Sequence, residues 1–381
     1  MQIMGVNDLN VPFADLHAQY LAIKPEIDAA IAEVIATSSF IRGPHVDHFE
    51  DAFAAMIGTR HCVSCANGTD AIYIAMVALG VKPGDEVIVP AMSWISTSET
   101  VSQAGGRVVF CDIDPVSNTL DVEKLADCIT PRTVGIIPVH LYGHPARMDR
   151  IMAIAQAHEL WVIEDCAQAH LAEFDGQKVG TFGVAATFSF YPGKNLGAMG
   201  DAGAIVTNDA ALAAHMAKFA RHGGLHKGDH EIEGINSRLD GLQAAILNVK
   251  LPYLRGWTDQ RRALAAAYTR ALEPVPGLKL PQAANWGAHV WHLYVIKTEG
   301  RDALARRLRE AGVQTSVNYP RALPFLPCYA AFGHRVQDFP VAYALSQQGL
   351  ALPMFAEMTP EQVRIACEAV VRSVANDRTA N

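Results

Sequence analysis

Residues 189–197 read Ser-Phe-Tyr-Pro-Gly-Lys-Asn-Leu-Gly, and this stretch decides both the fold and the chemistry that we expect. Residues 185–190 alternate small and aromatic side chains, which is typical of a buried strand, and the glycines after Lys194 are too dense for a helix. Lys194 is therefore predicted on a loop just past a strand end. Tyr191, Pro192 and the apolar strands make its surroundings dry, and a desolvated amine loses its proton and becomes a nucleophile toward carbonyls.

Lys194 has two other possible interpretations, a solvated charge and a P-loop lysine. A lysine on a loop is ordinarily a solvated charge. The pair Gly193-Lys194 also resembles the end of a phosphate-binding P-loop, but Phe188 stands where that motif needs its first glycine. Asn195 replaces the Ser or Thr that would hold magnesium, so the P-loop interpretation fails.

Strand patterns alternate with helix patterns along most of the chain before this loop. Such alternation predicts a mostly parallel sheet covered by helices on both faces. The apolar run at residues 160–165 indicates a central strand, and it ends in Glu164 and Asp165. Because ligands of these sheets collect outside the carboxyl ends of the strands, Asp165 is predicted at a functional site. The alternative is a carboxylate that only caps the following turn.

An anion site is predicted at residues 67–70, Asn-Gly-Thr-Asp, where a strand turns directly into a helix. The free N–H groups and dipole of a helix start attract anions, although the same residues also suit a simple turn with an N-cap. Trp94 follows another predicted strand and offers an indole. An amine, a strand-end carboxylate, an anion site and an aromatic ring are together the four contacts that pyridoxal 5′-phosphate (PLP) needs.

With these pieces in place, the sequence resembles the nucleotide-sugar aminotransferases of the DegT/DnrJ/EryC1/StrS family, from about residue 12 to 254 and more loosely to the end. The resemblance implies an α/β protein of the PLP-dependent, aspartate-aminotransferase-like fold type I, with a mostly parallel central sheet and a smaller C-terminal α/β domain. The matching stretches are residues 40–44 (FIRGP), 66–71 (ANGTDA), 138–143 (PVHLYG), 163–170 (IEDCAQAH), 189–197 (SFYPGKNLG) and 234–240 (GINSRLD).

The resemblance also implies roles for single residues. Lys194 would be the Schiff-base lysine, Asp165 the partner of the ring nitrogen, and Gln168 a contact near the phenolic oxygen of the ring. The remaining cofactor contacts would be Gly68, Thr69 and Ser189 at the phosphate, Trp94 on the ring, and Asn236 at the phosphate of the neighbouring subunit's cofactor. Substrate contacts are expected from Tyr191, His226, His230, Arg238 and Tyr319, and His170 is a further candidate.

By the same resemblance, we expect transfer of an amino group from L-glutamate to a keto group of a nucleotide-linked sugar, in amino-sugar biosynthesis by a homodimer with shared sites. Many members carry a histidine in the loop after Tyr319-Pro320, where this chain has Pro324. That departure, together with residues 140–143, favours amination at C3 of a 3-keto sugar; amination at C4 is the alternative. A PLP enzyme without transaminase activity and a PLP-binding regulatory protein stay open.

Composition narrows the class of protein. Half of the 381 residues are hydrophobic and 18% are charged, and the net charge of −8 argues against nucleic acid as a partner. No apolar run has the length of a membrane span, and the seven cysteines are odd in number, so we expect a cytoplasmic protein. We predict an N-terminal arm and large domain over residues 1–254, and a linking helix and small domain over residues 255–381. The Pro- and Gly-rich stretch 274–287 is the candidate boundary.

No metal site is expected. Cys62 and Cys65 form a C-x-x-C pattern, but they lie three residues apart in a predicted strand and point to opposite faces. The histidines at 215, 222, 226 and 230 have helix-like spacing, yet glycines interrupt the helix and no acid or cysteine completes a ligand set.

Overall fold

The structure, a computed structural model, describes residues 11–379 as an α/β protein with one large sheet. Its strands are β1 (His61–Cys65), β2 (Glu86–Pro90), β3 (Arg107–Cys111), β4 (Thr133–Ile136), β5 (Trp161–Asp165), β6 (Glu173–Phe174), β7 (Gln177–Lys178), β8 (Ala185–Ser189), β9 (Gly203–Thr207), β10 (Gly287–Ala288), β11 (Tyr294–Lys297) and β12 (Gly349–Leu352).

The α-helices of the described residues connect and cover these strands. They are α1 (Leu16–Ala22), α2 (Lys24–Thr37), α3 (Pro44–Ile57), α4 (Gly68–Ala78), α5 (Ser96–Gln103), α6 (Val122–Leu125), α7 (Met148–Ala157), α8 (Ala210–Ala220), α9 (Gly241–Lys250), α10 (Leu254–Leu272), α11 (Arg301–Glu310), α12 (Pro340–Gln348) and α13 (Pro360–Thr379). None of the helices in this range is long and apolar enough to cross a membrane.

The large sheet has seven strands in the order β1-β9-β8-β5-β4-β2-β3. Every neighbouring pair from β8 to β3 is parallel, while β9 runs antiparallel to both β8 and β1. The prediction of a mostly parallel sheet covered on both faces is therefore confirmed. The carboxyl ends of β5 and β8 lie side by side, so the acid at 165 and the lysine loop after residue 189 leave the sheet at the same edge.

Packing on the two faces explains the strand composition. All five residues of β2 and the last four of β5 are buried, as expected for strands covered by helices on both sides. Gly135 in β4 lies under Trp161 of β5, since a Cβ at position 135 would come within 2.2 Å of the indole. In β1, Cys65 packs into the core on one face and Cys62 against the core on the other, so the predicted opposite orientation of the two thiols is confirmed.

A smaller unit follows the sheet in sequence. Strands β11 and β12 pair in antiparallel fashion and share a core with α10, α11 and α13. The proposed boundary after residue 254 coincides with the start of α10, and the division into two domains stays a prediction.

The segment between α10 and β11 is tied to the large sheet unit by its own hydrogen bonds. Strand β10 pairs with β6, which lies shortly after β5. Farther along, the Val290 amide donates to the carbonyl of Gly143 at 3.0 Å, and the Val290 carbonyl accepts from the Asn195 side chain at 3.1 Å. Leu293 donates its amide to the carbonyl of Tyr142 at 3.3 Å. The chain thus crosses back to the large unit before it enters β11.

Several predicted elements were wrong. The pattern of residues 313–317, Val-Gln-Thr-Ser-Val, predicts a strand, but in the structure the segment forms single bridges, Val313 with Val11 and Ser316 with Ala351. The apolar pattern of residues 291–296 predicts a strand from Trp291, but the strand begins at Tyr294, since Trp291 has a left-handed φ of 48°. Strand β12, which pairs with β11 in place of the segment 313–317, was missed.

Candidate active site

The loop that carries Lys194 is folded back on the end of β8. The Lys194 amide donates to the carbonyl of Tyr191 at 2.8 Å, and the Ala198 amide closes the loop on the carbonyl of Phe190 at 2.7 Å. Gly197 has no room for a side chain, because a Cβ there would lie 2.2 Å from the carbonyl oxygen of Pro192. The sequence therefore specifies a tight turn, as predicted.

The amine of Lys194 is held in a form that suits a nucleophile. Desolvation lowers its pKa from 10.5 to about 8, and the charge of Asp165 opposes that shift. Within residues 11–379 the Nζ atom makes no hydrogen bond, so its lone pair is not engaged by the protein. The interpretation of Lys194 as an ordinary solvated loop charge does not agree with this environment.

Two buried side chains fix the lysine loop: Lys250 of α9, which sequence reasoning missed, and Asn195, which lies in the loop itself. Lys250 of α9 donates to the Gly197 carbonyl at 2.8 Å and to the Gln19 side chain at 3.0 Å. Asn195 stands between Val290 and His292, whose Nδ1 lies 3.1 Å from the Asn195 Oδ1. The loop is thus fixed by α9 and by the segment before β11.

Asp165 ends β5 and is 4% exposed. Burial raises the pKa of its carboxyl group, while the Ala167 amide, the Thr97 hydroxyl and the positive charge of Lys194 act in the opposite direction. Thr97 donates to Oδ2 at 2.9 Å and the Ala167 amide to Oδ1 at 3.1 Å. These two donors fix the carboxylate, and the prediction that Asp165 stands at the functional edge of the sheet agrees with its position. Sequence reasoning missed Thr97, which lies in an ordinary helical pattern.

Three buried side chains of kinds that can bind a metal ion lie close together beside Asp165. They are His140, Glu164 and Cys166. Glu164 is already bonded: it accepts the amides of Gly180, Phe182 and Gly183 at 2.7 to 2.9 Å. His140 accepts the Ala146 amide at Nδ1, so its Nε2 carries the proton and donates to Glu164 at 3.2 Å. The ligand atoms of both residues are occupied by the protein itself, and the cluster anchors the strand end.

The start of α4 lies where the sequence predicts an anion site, and whether it binds an anion stays a prediction. Asn67 is the N-cap, and its side chain accepts the Asp70 amide at 2.8 Å. The amides of Gly68 and Thr69 belong to the first turn, where no intrahelical acceptor exists. Ser189, at the end of β8, packs against Gly68 so closely that a Cβ on Gly68 would lie 2.6 Å from the Ser189 Cβ. Glycine at 68 thus brings two free amides beside a serine hydroxyl.

Two aromatic rings and a glutamine side chain form a further cluster. Trp94 is 58% exposed, and its ring centroid lies 5.5 Å from that of Tyr319. Gln168 donates from Nε2 to the Tyr319 hydroxyl at 3.0 Å and accepts the Tyr142 amide at Oε1 at 2.6 Å. The structure therefore brings Gln168, Trp94 and Tyr319 together, three residues that lie far apart in the sequence.

Other predicted site residues lie elsewhere in the described part of the chain. Asn236 is exposed, and its neighbour Ser237 is buried and donates to Asp70 at 2.6 Å. His230 bonds the carbonyl of His222 at 2.8 Å in an exposed loop that also contains His226, and neither His226 nor His230 contacts Lys194 within residues 11–379.

The remaining substrate candidates differ in exposure. Tyr191 is 59% exposed beside Lys194, and Arg238 is partly buried. The suggestion that His170 orients substrate hydroxyls was wrong. His170 has no exposed surface, and its ring packs 5.4 Å from Phe188 and 5.6 Å from Phe190, measured between centroids. Burial lowers its pKa to about 3, so it stays neutral.

A sequence model described as the DegT/DnrJ/EryC1/StrS aminotransferase family matches residues 21–371. The chain belongs to this family.

Three relatives cover almost the whole chain. The erythromycin biosynthesis sensory transduction protein EryC1 of Saccharopolyspora erythraea is 45% identical over 93% of this chain and 96% of its own length. The dTDP-3-amino-3,4,6-trideoxy-alpha-D-glucose transaminase of Streptomyces venezuelae is 41% identical, over 94% and 95%. The UDP-N-acetyl-3-dehydro-alpha-D-glucosamine 3-aminotransferase of Acidithiobacillus ferrooxidans is 42% identical, over 93% and 96%.

Among solved structures, DesV of S. venezuelae in complex with a ketimine intermediate superposes with a TM-score of 0.94. It is 41% identical to this chain, and the match covers 96% of this chain and 98% of that one. The family membership confirms the predicted fold type I architecture, the aminotransferase class and the PLP cofactor.

The residues present fit the cofactor of the DegT/DnrJ/EryC1/StrS family. Free amides at a helix start beside a serine hydroxyl suit a phosphate group. A buried carboxylate with fixed donors suits a protonated ring nitrogen, and the exposed face of Trp94 suits a flat aromatic ring. The unpaired amine of Lys194 suits a carbonyl. The roles of single residues stay predictions.

Proposed function

We propose that this protein transfers an amino group from L-glutamate to the 3-keto group of a nucleotide-linked sugar. The observation that carries the proposal is the pairing of Lys194, whose amine has a pKa of about 8 and no hydrogen-bond partner among the described residues, with the buried and anchored Asp165 at one sheet edge. An amine that exchanges a proton near neutral pH is what amino transfer requires of a general acid–base.

We infer the following division of labour. Gly68, Thr69 and Ser189 would hold the phosphate of PLP, and Trp94 would cover one face of its ring. Asp165, kept in place by Thr97, would keep the ring nitrogen protonated. When bound, PLP supplies a reactive carbonyl and an electron-withdrawing ring that carries the amino group between donor and acceptor.

Within this arrangement the Nζ atom of Lys194 moves the proton. It would bind the cofactor covalently in the resting enzyme, and once the donor has displaced it, it would take the proton from the α-carbon of glutamate and pass that proton to the cofactor. Burial serves this role because it lowers the pKa of the amine, so a substantial fraction is neutral at physiological pH. The keto sugar then reverses the sequence of proton movements.

The choice of C3 follows the sequence pattern at residues 140–143 and the loop with Pro324, and relatives named as transaminases of 3-amino and 3-dehydro sugars support it. Those relatives are named for dTDP and UDP sugars. A 4-keto sugar is the alternative acceptor.

We further propose a homodimer in which Asn236 of one subunit contacts the cofactor phosphate of the other. Support comes from the exposure of Asn236 in the single chain, next to Ser237, which is buried and fixed. Arg238, His226 and His230 would then face the substrate in the partner's site. Light scattering that finds an active monomer would contradict this arrangement.

The test of the function uses the protein whose cofactor has first been converted to its amino form with ¹⁵N-labelled glutamate. It is mixed with matched 3-keto and 4-keto nucleotide sugars, and the return of the visible absorbance of the lysine-bound cofactor is followed. The expected result is a response to the 3-keto compound, with ¹⁵N from labelled glutamate appearing in the product by mass spectrometry.

Lys194→Ala should abolish the response while leaving the fold intact. A response only to the 4-keto compound would overturn the choice of carbon. Absence of ¹⁵N transfer with both compounds would support the PLP-binding regulatory protein instead.

A further inference from the structure

Tyr142 has an unusual backbone for a bulky residue. It lies in the short turn Leu141–Gly143 that follows β4, with φ 60° and ψ 5°, and its side chain is 3% exposed. An aromatic residue rarely adopts this left-handed conformation, and one that does is fixed by its surroundings. The turn lies beside Asp165, because the His140 amide donates to the Asp165 carbonyl at 3.1 Å.

Each polar group of Tyr142 bonds a different segment of the chain. The amide donates to Gln168, the carbonyl accepts from Leu293, and the hydroxyl donates to the carbonyl of Asn318. Gln168 in turn donates to the hydroxyl of Tyr319. Two sets of hydrogen bonds therefore connect Tyr142 with Tyr319. One is the bond of the Tyr142 hydroxyl to the carbonyl of Asn318, the residue before Tyr319, and the other passes through the side-chain amide of Gln168.

These bonds set the direction of the hydrogen bond that Tyr319 can offer. A backbone amide only donates, so the oxygen of Gln168 must face Tyr142 and its nitrogen must face Tyr319. The Tyr319 oxygen accepts from that nitrogen, which leaves the phenolic proton available. Burial and the charge of Asp165 raise the pKa of Tyr319, so the phenol stays protonated. Tyr319 is thus a neutral donor beside the exposed ring of Trp94.

Within residues 11–379, few other hydrogen bonds hold the segment around Tyr319, while Val317 and Ala322 near its ends pack against hydrophobic cores. It is anchored before by the Ser316 amide on Ala351 at 3.1 Å, and after by the Leu323 amide on Ala91 at 2.8 Å. Between these anchors, residues 317–322 contain no helix or strand. The contacts from Tyr142 and Gln168 fall in the middle of this span.

We propose that Tyr142 is a positioning residue whose hydroxyl holds residues 317–322, so that Tyr319 donates its hydrogen bond to the keto sugar. This inference rests on the proposed function for the identity of the ligand. The attachment of residues 317–322 by the Tyr142 hydroxyl, called the tether below, rests on the contacts alone.

The experiment compares Tyr142→Phe with Tyr268→Phe. Tyr268 is an equally buried phenol that donates to the Pro353 carbonyl at 3.0 Å in the core of the smaller unit. Each variant loses one hydroxyl and one hydrogen bond to a carbonyl. Hydrogen exchange of the peptide covering residues 317–322 is measured by mass spectrometry on the loaded dimer without substrate, and KM and kcat are then measured with the keto sugar.

For Tyr142→Phe we expect exchange of this peptide to accelerate about five- to tenfold, as for the loss of one buried hydrogen bond, and KM for the keto sugar to rise by a similar factor. The kcat value should change less than about twofold, since Gln168 keeps its bond to the Tyr142 amide. Tyr268→Phe should change neither quantity.

Equal exchange in the two variants would overturn the tether. Faster exchange in Tyr142→Phe with an unchanged KM would overturn the substrate role of Tyr319. Because the exchange measurement needs no sugar, it remains decisive even if the proposed acceptor is wrong, and in that case the unmodified enzyme would not turn over the 3-keto sugar either.

Discussion

The pKa of Lys194 gives the sharpest test of the site. A buried amine resists protonation, so in the cofactor-free protein Lys194 should become neutral at a lower pH than an ordinary lysine. With a pKa of about 8 the neutral fraction at pH 7 is roughly one in ten, whereas with 10.5 it is roughly one in three thousand. The reactivity due to the neutral amine should therefore be roughly 300-fold higher than for an ordinary lysine at that pH.

Competitive labelling measures this directly. The cofactor-free protein is treated with trace acetic anhydride between pH 6 and 11, and the modified fraction of each lysine is read by peptide mass spectrometry. The exposed Lys82 in the same digest is the internal control for the reagent. Labelling of Lys194 should rise tenfold per pH unit below about 8 and level off above it.

The variant Asp165→Asn tests the direction in which the charge of Asp165 shifts the pKa of Lys194. The negative charge of Asp165 favours the ammonium form of Lys194 and so raises its pKa. Its removal should shift the midpoint of the labelling curve to lower pH. Labelling of Lys194 that still rises tenfold per unit between pH 8.5 and 10 would refute the argument from burial, and a midpoint that moves upward in the variant would refute the assignment of the charge.

Further predictions concern the residues around the cofactor site. Asp165→Asn should slow amino transfer by about 10² to 10⁴ with PLP still bound, since the ring nitrogen loses its charged partner; an unchanged rate in a single-turnover assay would contradict it. Thr97→Val should slow the reaction about tenfold and Thr97→Ser should restore it, as a lost and regained hydrogen bond to a carboxylate predicts. Gly68→Ala should weaken PLP binding about ten- to 100-fold by calorimetry, because the new Cβ would come within 2.6 Å of Ser189 and push the helix start away. Glu164→Gln should lower the free energy of unfolding in urea by about 3 kcal/mol, because three backbone amides lose a charged acceptor; a change below about 1 kcal/mol would mean that the network is not structural.

The parts of the site that the sequence predicts are those that depend on local pattern. The strand-to-turn transitions at residues 66–70, 160–165 and 185–194 each place a polar residue at a strand end, and because β1, β5 and β8 run in the same direction, those ends lie at one edge of the sheet. For this reason Asp165 and Lys194 can be paired without any knowledge of distances.

The parts that it does not predict depend on contacts between distant segments. Thr97 lies 68 positions before the carboxylate that it holds, and nothing in its own helix distinguishes it from a solvated threonine. Lys250 ends an amphipathic helix, where a lysine is ordinarily exposed, and its burial follows from the packing of the lysine loop against α9. The opposite error occurred at His170, because a polar residue in a functional motif can face an aromatic core as well as a ligand.

Residues 287–293 return to the large unit and bind to it. These bonds determine whether cleavage of the chain would separate the two units. Strand β10 is bonded to β6, and Val290 is bonded on both sides, to Gly143 and to Asn195 of the lysine loop. Proteolytic cleavage in the exposed stretch near residues 282–285 would therefore cut the chain without freeing the C-terminal piece. The two fragments should stay together through gel filtration, and a protein expressed as two separate chains divided at this point should reassemble into a complete site.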